Sequence, residues 1–296
     1  MKVDLVCFGE LLWDMLPNGK VVGGAPFNIV NRADSLGLDA FIVTSIGNDI
    51  LGDELLKTVA NKVNHTHFIQ RHKSLETSKV EIELSSKGEP KYNIVRPVAW
   101  DDIQVDQRII DLVKSSKALA YSSLALRDER SRSTLFSLLP HAKNKICDIN
   151  LRAGNYGQST IMQMVESADT LRMNESELLM LATWLGYSEL SQKDQIIAIQ
   201  KHYNYNEVIA TLGAEGAICY DGDSFFIQSV FPTDIKDTVG AGDGFLAAYI
   251  TRKLKGDIIE EALRYACAVG SITASKRGGT PEISEEEIQQ LIDSHS

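Results

Sequence analysis

The stretch DTVGAGDGF, residues 237 to 245, places three glycines and two aspartates directly before LAAYITRKLK, a helical pattern. Gly240, Ala241 and Gly242 carry little or no side chain to block approach to the backbone. A helix starting near Gly242 or Asp243 offers unpaired N–H groups and a partial positive charge, which together bind phosphate. Asp243 cannot itself hold that phosphate, because two anions repel. It suits a base that accepts the proton of a hydroxyl attacking phosphorus. The plainer reading is a glycine turn with a capping aspartate, worth about 1 kcal/mol. These nine residues leave both readings open.

Four other stretches carry polar groups at element ends. In GGAPFN (23–28), Gly23 and Gly24 admit close backbone approach and Asn28 can donate to and accept from hydroxyls. Asp14, upstream on a short strand, can accept two hydroxyl hydrogen bonds. Alternatively the glycines end a strand, Asn28 caps a helix and Asp14 is a solvated turn residue. In NESE (174–177), Asn174 and Glu177 suit magnesium-bound water and phosphate, or form a capping box. In TLGAEGA (211–217), Thr211 and the glycine backbone can line a nucleotide, or make a hairpin turn. In DINLR (148–152), Arg152 can pair with phosphate or with a surface acid.

The elements that must position these groups follow an alternating order. Short apolar runs read as strands at 3–9, 40–47, 117–123, 145–150, 168–174 and 207–213. Helical patterns stand between most of them, including 28–37 and 53–63. Repeated βα units predict an α/β fold with a mostly parallel central sheet flanked by helices. Two segments break the pattern: 11–24 reads as two strands around Pro-Asn-Gly, and 78–96 as a hairpin around SSKGEP. Together they predict a small sheet at the carboxyl edge of the main sheet, placed to act as a lid. The acidic run SEEEI (284–288) reads as the start of a terminal helix.

Bulk properties exclude several classes. The chain has 296 residues, 44% apolar and 24% charged, with formal net charge -10. An acidic surface of that size argues against nucleic acid and anionic membrane as partners. Any anionic ligand then needs a local positive field. Cys7, Cys147, Cys219 and Cys267 lack CxxC spacing and read as buried thiols of a reducing compartment. The first residues do not read as a signal peptide, and no apolar run is long enough to span a membrane, so a soluble cytoplasmic protein is expected. P-loop, GxSxG and HExxH motifs are absent, and GAGDGF lacks the final glycine of a dinucleotide fingerprint.

In this order and spacing the motifs resemble the ribokinase-like sugar kinases, the PfkB family. GGAPFNIVNRADSLG and IGND are similar to its N-terminal signature, and DTVGAGDGFLAAYI to its C-terminal one. DINLR, NESE and TLGAEG also fall where that family has them, so the resemblance spans essentially the whole chain. GELLWDMLP, ETSKVEIELSSKGEPKY and VAWDDI resemble the bacterial fructokinase branch. One departure is Val30, where the signature has a small residue. It is expected to face helix packing rather than sugar.

The resemblance implies a three-layer ribokinase-like fold, with the body at 1–11, 25–75 and 99–296 and a β-sheet lid at 12–24 and 76–98. It implies an ATP-dependent kinase acting on a sugar's primary hydroxyl, with D-fructose converted to fructose 6-phosphate. Asp243 would be the base, and the amides of Gly240, Ala241 and Gly242 the anion hole. Asp14, Gly23, Gly24 and Asn28 would hold sugar hydroxyls, with Arg96, Asn150 and Arg152 near the substrate. Asn174, Glu177, Thr211, Gly213 and Gly216 would serve ATP, with Glu177 holding Mg2+ through water. Asp237, Val239 and Gly278 match a monovalent cation site for K+. The lid is expected to close over the sugar and to pair two subunits into a homodimer. Ribose, 2-keto-3-deoxygluconate or a nucleoside are the alternative substrates. A sugar-binding regulatory module without turnover is the alternative class, and the intact Asp243 argues against it.

Overall fold

The computed structural model describes residues 2–16, 19–84 and 90–295. In chain order its strands are β1 (Leu5–Phe8), β2 (Leu12–Leu16), β3 (Gly19–Gly23), β4 (Ala40–Gly47), β5 (Ile69–His72), β6 (Lys79–Leu84), β7 (Pro90–Ile94), β8 (Ala118–Ser122), β9 (Lys145–Asp148), β10 (Thr170–Asn174), β11 (Glu207–Thr211), β12 (Ala217–Tyr220) and β13 (Phe225–Gln228). Nine of them form one sheet in the order β13-β12-β11-β10-β9-β8-β1-β4-β5. All pairs from β11 to β5 are parallel, and β12 and β13 add an antiparallel edge.

The strands are buried on both faces, as a sheet with helices on either side requires. In β1, Val6 and Phe8 face one core with Phe41, Tyr121 and Met173. Leu5 and Cys7 face the other, with Phe27, Val30 and Leu246. Val30 is thus fully buried in helix packing, as expected of it. The four cysteines are buried and carry no disulfide. No helix among the described residues is long and apolar enough to cross a membrane.

Chain order reverses between β8 and β1, so the sheet has a switch point there, where α/β proteins open a crevice at the strands' carboxyl ends. The loops after β1, β9, β10 and β11 all emerge on that edge. At or just past those strand ends lie Asn150 and Arg152, Asn174 and Glu177, and Thr211 with Gly213, while Asp14 stands on β2 and Asn28 in the helix Ala25–Ser35.

The small sheet has the order β3-β2-β6-β7. The two expected hairpins meet through a parallel pairing of β2 with β6, at Trp13 with Lys79 and Asp14 with Val80. The Pro17 and Asn18 of the first expected turn, and residues 85–89 of the second, lie outside the described residues. Alternation along β2 turns Trp13 into the core while its Nε1 donates to Leu51 O at 3.1 Å. Lys20 on β3 pairs with Glu54. The small sheet is therefore tied along one side to the helix Ile50–Ala60.

Element boundaries moved by a few residues. The helix expected at 28–37 spans Ala25–Ser35, with Pro26 in its first turn, where a missing N–H costs nothing. The helix expected at 53–63 spans Ile50–Ala60, because Asp49 caps it by accepting from Gly52 N at 2.7 Å. The acidic run does open a terminal helix, Glu285–Asp293, capped by Ser284.

Candidate active site

The helix Ala241–Lys255 starts one residue earlier than expected and points its N-terminus at the switch-point edge. Its N-cap Gly240 has φ 75, and a Cβ there would lie 2.3 Å from Gly279 O. Only glycine fits that combination of left-handed backbone and close approach. The Ala241 amide closes a turn onto Thr238 O at 3.2 Å. The amides of Gly242 and Asp243 donate to no described residue. Of the three amides expected to form an anion hole, those of Gly240 and Gly242 thus have no acceptor among the described residues, and that of Asp243 joins them.

Asp243 is the third helical residue and is buried, 8% exposed. It caps nothing. Its Oδ2 accepts from Asn28 Nδ2 at 2.7 Å. Burial pushes the carboxyl up to about 6, the Asn28 hydrogen bond opposes that rise, Asp148 adds to it, and Arg152 and Arg172 oppose it. The result is a carboxylate with more proton affinity than a surface aspartate, still mostly ionised at neutral pH.

Asn28 is not a cap either, because the helix begins three residues before it. Its Oδ1 is buried without a partner, beside Gly279. Gly24 takes the N-cap position with φ 113, and its Cβ would lie 2.4 Å from Glu10 O. The first amide of the helix, Ala25 N, donates instead to Glu10 Oε1 at 3.0 Å. Glu10 was not singled out from sequence. It is 3% exposed, its Oε2 has no partner, and burial pushes its carboxyl up to about 7. A Cβ on Gly23 would lie 2.3 Å from Asp14 Oδ2, so this glycine clears space for that carboxylate. Burial also raises Asp14.

One exposed cation acts on all three carboxylates of this acidic side. Arg152, exposed at the loop after β9, lowers the proton affinity of Glu10, Asp14 and Asp243 alike. Arg96 does not join it. Its Nη2 donates to Arg127 O at 3.0 Å and stands 3.5 Å from Asp128. Asn150 takes φ 43, a left-handed conformation that asparagine tolerates, and its carbonyl accepts from Ser123 Oγ at 3.0 Å.

On the other side of the crevice, Asn174 and Glu177 form the capping box. Asn174 Oδ1 accepts from Glu177 N at 2.9 Å and Glu177 Oε2 from Asn174 N at 2.8 Å. Glu177 Oε1 also accepts from Leu151 N at 2.8 Å, so this carboxylate joins the loops after β9 and β10. It is buried, and burial first, then Asp148, raises its proton affinity. The segment 211–217 is a hairpin turn between β11 and β12. Gly213 has φ 56, and Gly216 has φ 102 with no room for a Cβ against Gln228 O. Their glycines are thus explained by the turn, and Thr211 is drawn to the site by its hydroxyl.

That hydroxyl accepts from Arg172 Nη2 at 2.8 Å, while Arg172 Nη1 donates to Asp148 Oδ1 at 2.9 Å. Arg172 and Asp148, at 7% and 1% exposed, were both missed from sequence, although each is a charge inside an apolar strand. Asp237 gathers the third group: its Oδ1 accepts from Val239 N at 3.0 Å and its Oδ2 from Gly278 N at 2.9 Å. The three residues expected at a cation site thus meet where two loops touch, the one before the helix Ala241–Lys255 and the one after Ile259–Ala274.

Three comparisons bear on this arrangement. The model of the pfkB family carbohydrate kinases matches residues 5–286. A fructokinase-2 of Solanum lycopersicum is 26% identical over 308 residues, covering 94% of this chain and 92% of its own. Among solved structures, the fructokinase with bound ATP from Xylella fastidiosa superposes with a TM-score of 0.85 at 21% identity, covering 100% of this chain and 99% of its own. A fructokinase double mutant from Vibrio cholerae, in a fructose-, ADP- and potassium-bound form, superposes with a TM-score of 0.84 at 22% identity, covering 98% and 99%.

Proposed function

The chain belongs to the pfkB family of carbohydrate kinases, and from that premise we propose that it transfers the γ-phosphoryl group of ATP to the primary hydroxyl of an uncharged sugar, D-fructose, giving fructose 6-phosphate. The observation that carries the reading is the buried Asp243 carboxylate, oriented by Asn28 beside the free amides of a helix N-terminus. In the reaction the hydroxyl oxygen bonds to the γ-phosphorus as the bridging P–O bond breaks. The electron pair leaves with ADP and the hydroxyl proton goes to Asp243. The transition state is loose, so a carboxylate is a sufficient base, and positioning and charge do most of the work.

The acidic side of the crevice supports a neutral substrate. Glu10, Asp14 and Asp243 stand there, with Arg152 the cation acting on all three and Arg172 on Asp243 as well. A sugar phosphate or a keto acid would meet net repulsion, whereas hydroxyls find acceptors. Similarity to fructokinases supports fructose among neutral sugars.

Asp148 and Glu177 fit a divalent ion such as Mg2+ near the phosphates. Asp148 Oδ2 is buried with no partner, and Glu177 sits close enough for the two charges to interact, so ligation through water suits them. When bound, such an ion neutralises charge on the β- and γ-phosphates. The two loops joined by Asp237 would hold K+ and brace the turn ahead of Asp243. The small sheet, residues 12–24 and 76–98, would act as the lid that excludes water. Leu16 and Val21 lie on its Asp14 face, 44% and 39% exposed, which supports pairing of two copies through that sheet.

The test is ADP release with fructose, ribose, tagatose, 2-keto-3-deoxygluconate and nucleosides, with and without potassium. Fructose should give the highest kcat/KM. Sugar binding without ADP release from any of them would overturn the reading.

A further inference from the structure

Arg172 sits where a cation does a helix no good. It rises from β10 into the base of the crevice and is pinned there by Asp148 and Thr211. A Cβ built on Gly242 would lie 2.7 Å from its Nη2, so the guanidinium presses directly on the second residue of the helix Ala241–Lys255. A helix N-terminus already carries partial positive charge, so the contact itself repels a cation, and the carboxylates of Asp148, Glu177 and Asp243 hold Arg172 charged there. Asp148 Oδ1 is the one carboxylate oxygen that Arg172 reaches with a hydrogen bond, and Arg172 Nε is buried with none. The free amides of Gly242 and Asp243 lie in the same turn. A fixed cation and a helix N-terminus meeting at one point make a standing positive field whose natural complement is an anion.

We propose that Arg172 is a further positioning residue of phosphoryl transfer, acting through Gly242 and Thr211. Resting on the kinase reading above, it places a permanent positive charge behind the amides that receive the transferred group. It also orients the Thr211 hydroxyl on the nucleotide side. No proton moves to or from it. The charge it answers is the one that spreads over the phosphoryl oxygens as the bond to ADP breaks. This role also accounts for glycine at position 242 by a contact with a residue far away in sequence. Any side chain at 242 would displace the guanidinium.

The experiment compares the parent with Arg172→Lys, Arg172→Met and Gly242→Ala, alone and with Arg172→Met combined with Gly242→Ala. Lysine keeps the charge but cannot make both hydrogen bonds at once in the guanidinium geometry. Turnover should fall by about 10²-fold in Arg172→Lys and further in Arg172→Met, the scale of losing an oxyanion donor. KM for sugar and affinity for ADP should stay within a few fold. Affinity for ADP with aluminium fluoride and sugar, a mimic of the transferring group, should fall in step with kcat. Gly242→Ala should cost less turnover in the Arg172→Met background than in the parent, because the clash is gone. Near-parental kcat in Arg172→Lys and Arg172→Met would overturn the proposal. So would equal losses in kcat, ADP affinity and thermal midpoint, which mark a purely structural pair with Asp148. A parent that releases no ADP with any sugar overturns instead the kinase reading beneath it, which separates the two failures.

Discussion

Asn28 Nδ2 donates to Asp243 Oδ2 at 2.7 Å, although the two stand 215 positions apart in sequence. A hydrogen bond to a buried charge is worth about 1.5–3 kcal/mol, and it favours the ionised form of Asp243 against the pull of burial. Replacing Asn28 with Leu should therefore raise the proton affinity of Asp243 further. The acid limb of the kcat profile should move to higher pH, with part of the activity regained in alkaline buffer. A pH–rate profile of the Asn28→Leu variant superimposable on the parent's would show that the contact does not tune the base.

Asp243→Asn removes the proton acceptor and keeps its shape. We expect kcat to fall by at least ~10²-fold, with ATP affinity by calorimetry within a few fold of the parent. A variant with near-parental turnover would remove Asp243 from the mechanism.

Stability should respond to pH in the opposite sense to activity. Asp243 and Glu10 have folded-state proton affinities raised to about 6 and about 7 from 3.8 and 4.5. The folded chain thus holds protons more tightly than the unfolded one. Stability is fully present below about pH 4 on their account and is lost as pH rises through 6 to 7. For Asp243 alone, whose carboxyl rises from 3.8 to about 6, the loss is on the order of 2–3 kcal/mol. Asp243→Asn should therefore melt higher than the parent at pH 8 and show little gain at pH 4. Thermal melts at both values check the sign.

Arg152 acts on Glu10, Asp14 and Asp243 together. Arg152→Ala should shift the acid limb of kcat upward and raise KM for sugar, while Arg96→Ala leaves the limb in place, since Arg96 is turned to Arg127 and Asp128. Equal effects of the two variants on the pH profile would contradict the assignment.

Gly240→Ala combines a left-handed backbone with a collision against Gly279 O. The strain should cost about 1–3 kcal/mol and displace the free amides. We expect a lower thermal midpoint and at least tenfold lower kcat, with sugar affinity largely kept. Denaturation and steady-state kinetics test both.

Much of this site was legible from residue types at element ends. Asp243, Asn28 and the glycines around them sit at strand–helix junctions, where local letters and spacing carry the signal. The parallel sheet was legible because its strands, buried on both faces, read as unbroken apolar runs. Other parts were not. β5, with Ile69 and His72 around two polar residues, lacks the apolar run that marks an inner strand. Glu10, Asp148 and Arg172 work through partners far along the chain, and neighbouring letters cannot reveal such partners. Their one signal was a charge set inside or just after an apolar strand, where solvation is lost. In NESE and TLGAEGA, structural and functional demands fall on the same letters. The capping box and the hairpin turn account for Asn174, Glu177, Gly213 and Gly216 without any ligand.

The wide separation of Asn28 and Asp243 also orders events during synthesis. A chain leaving the ribosome completes the segments of Asp14 and Asn28 and the small sheet early, while Asp243 and its helix are made much later. On the kinase reading, the emerging chain carries its first polar motifs but not yet Asp243 to accept a proton. Phosphoryl transfer by the proposed route therefore waits until translation has passed Asp243 and the first and last motifs have met.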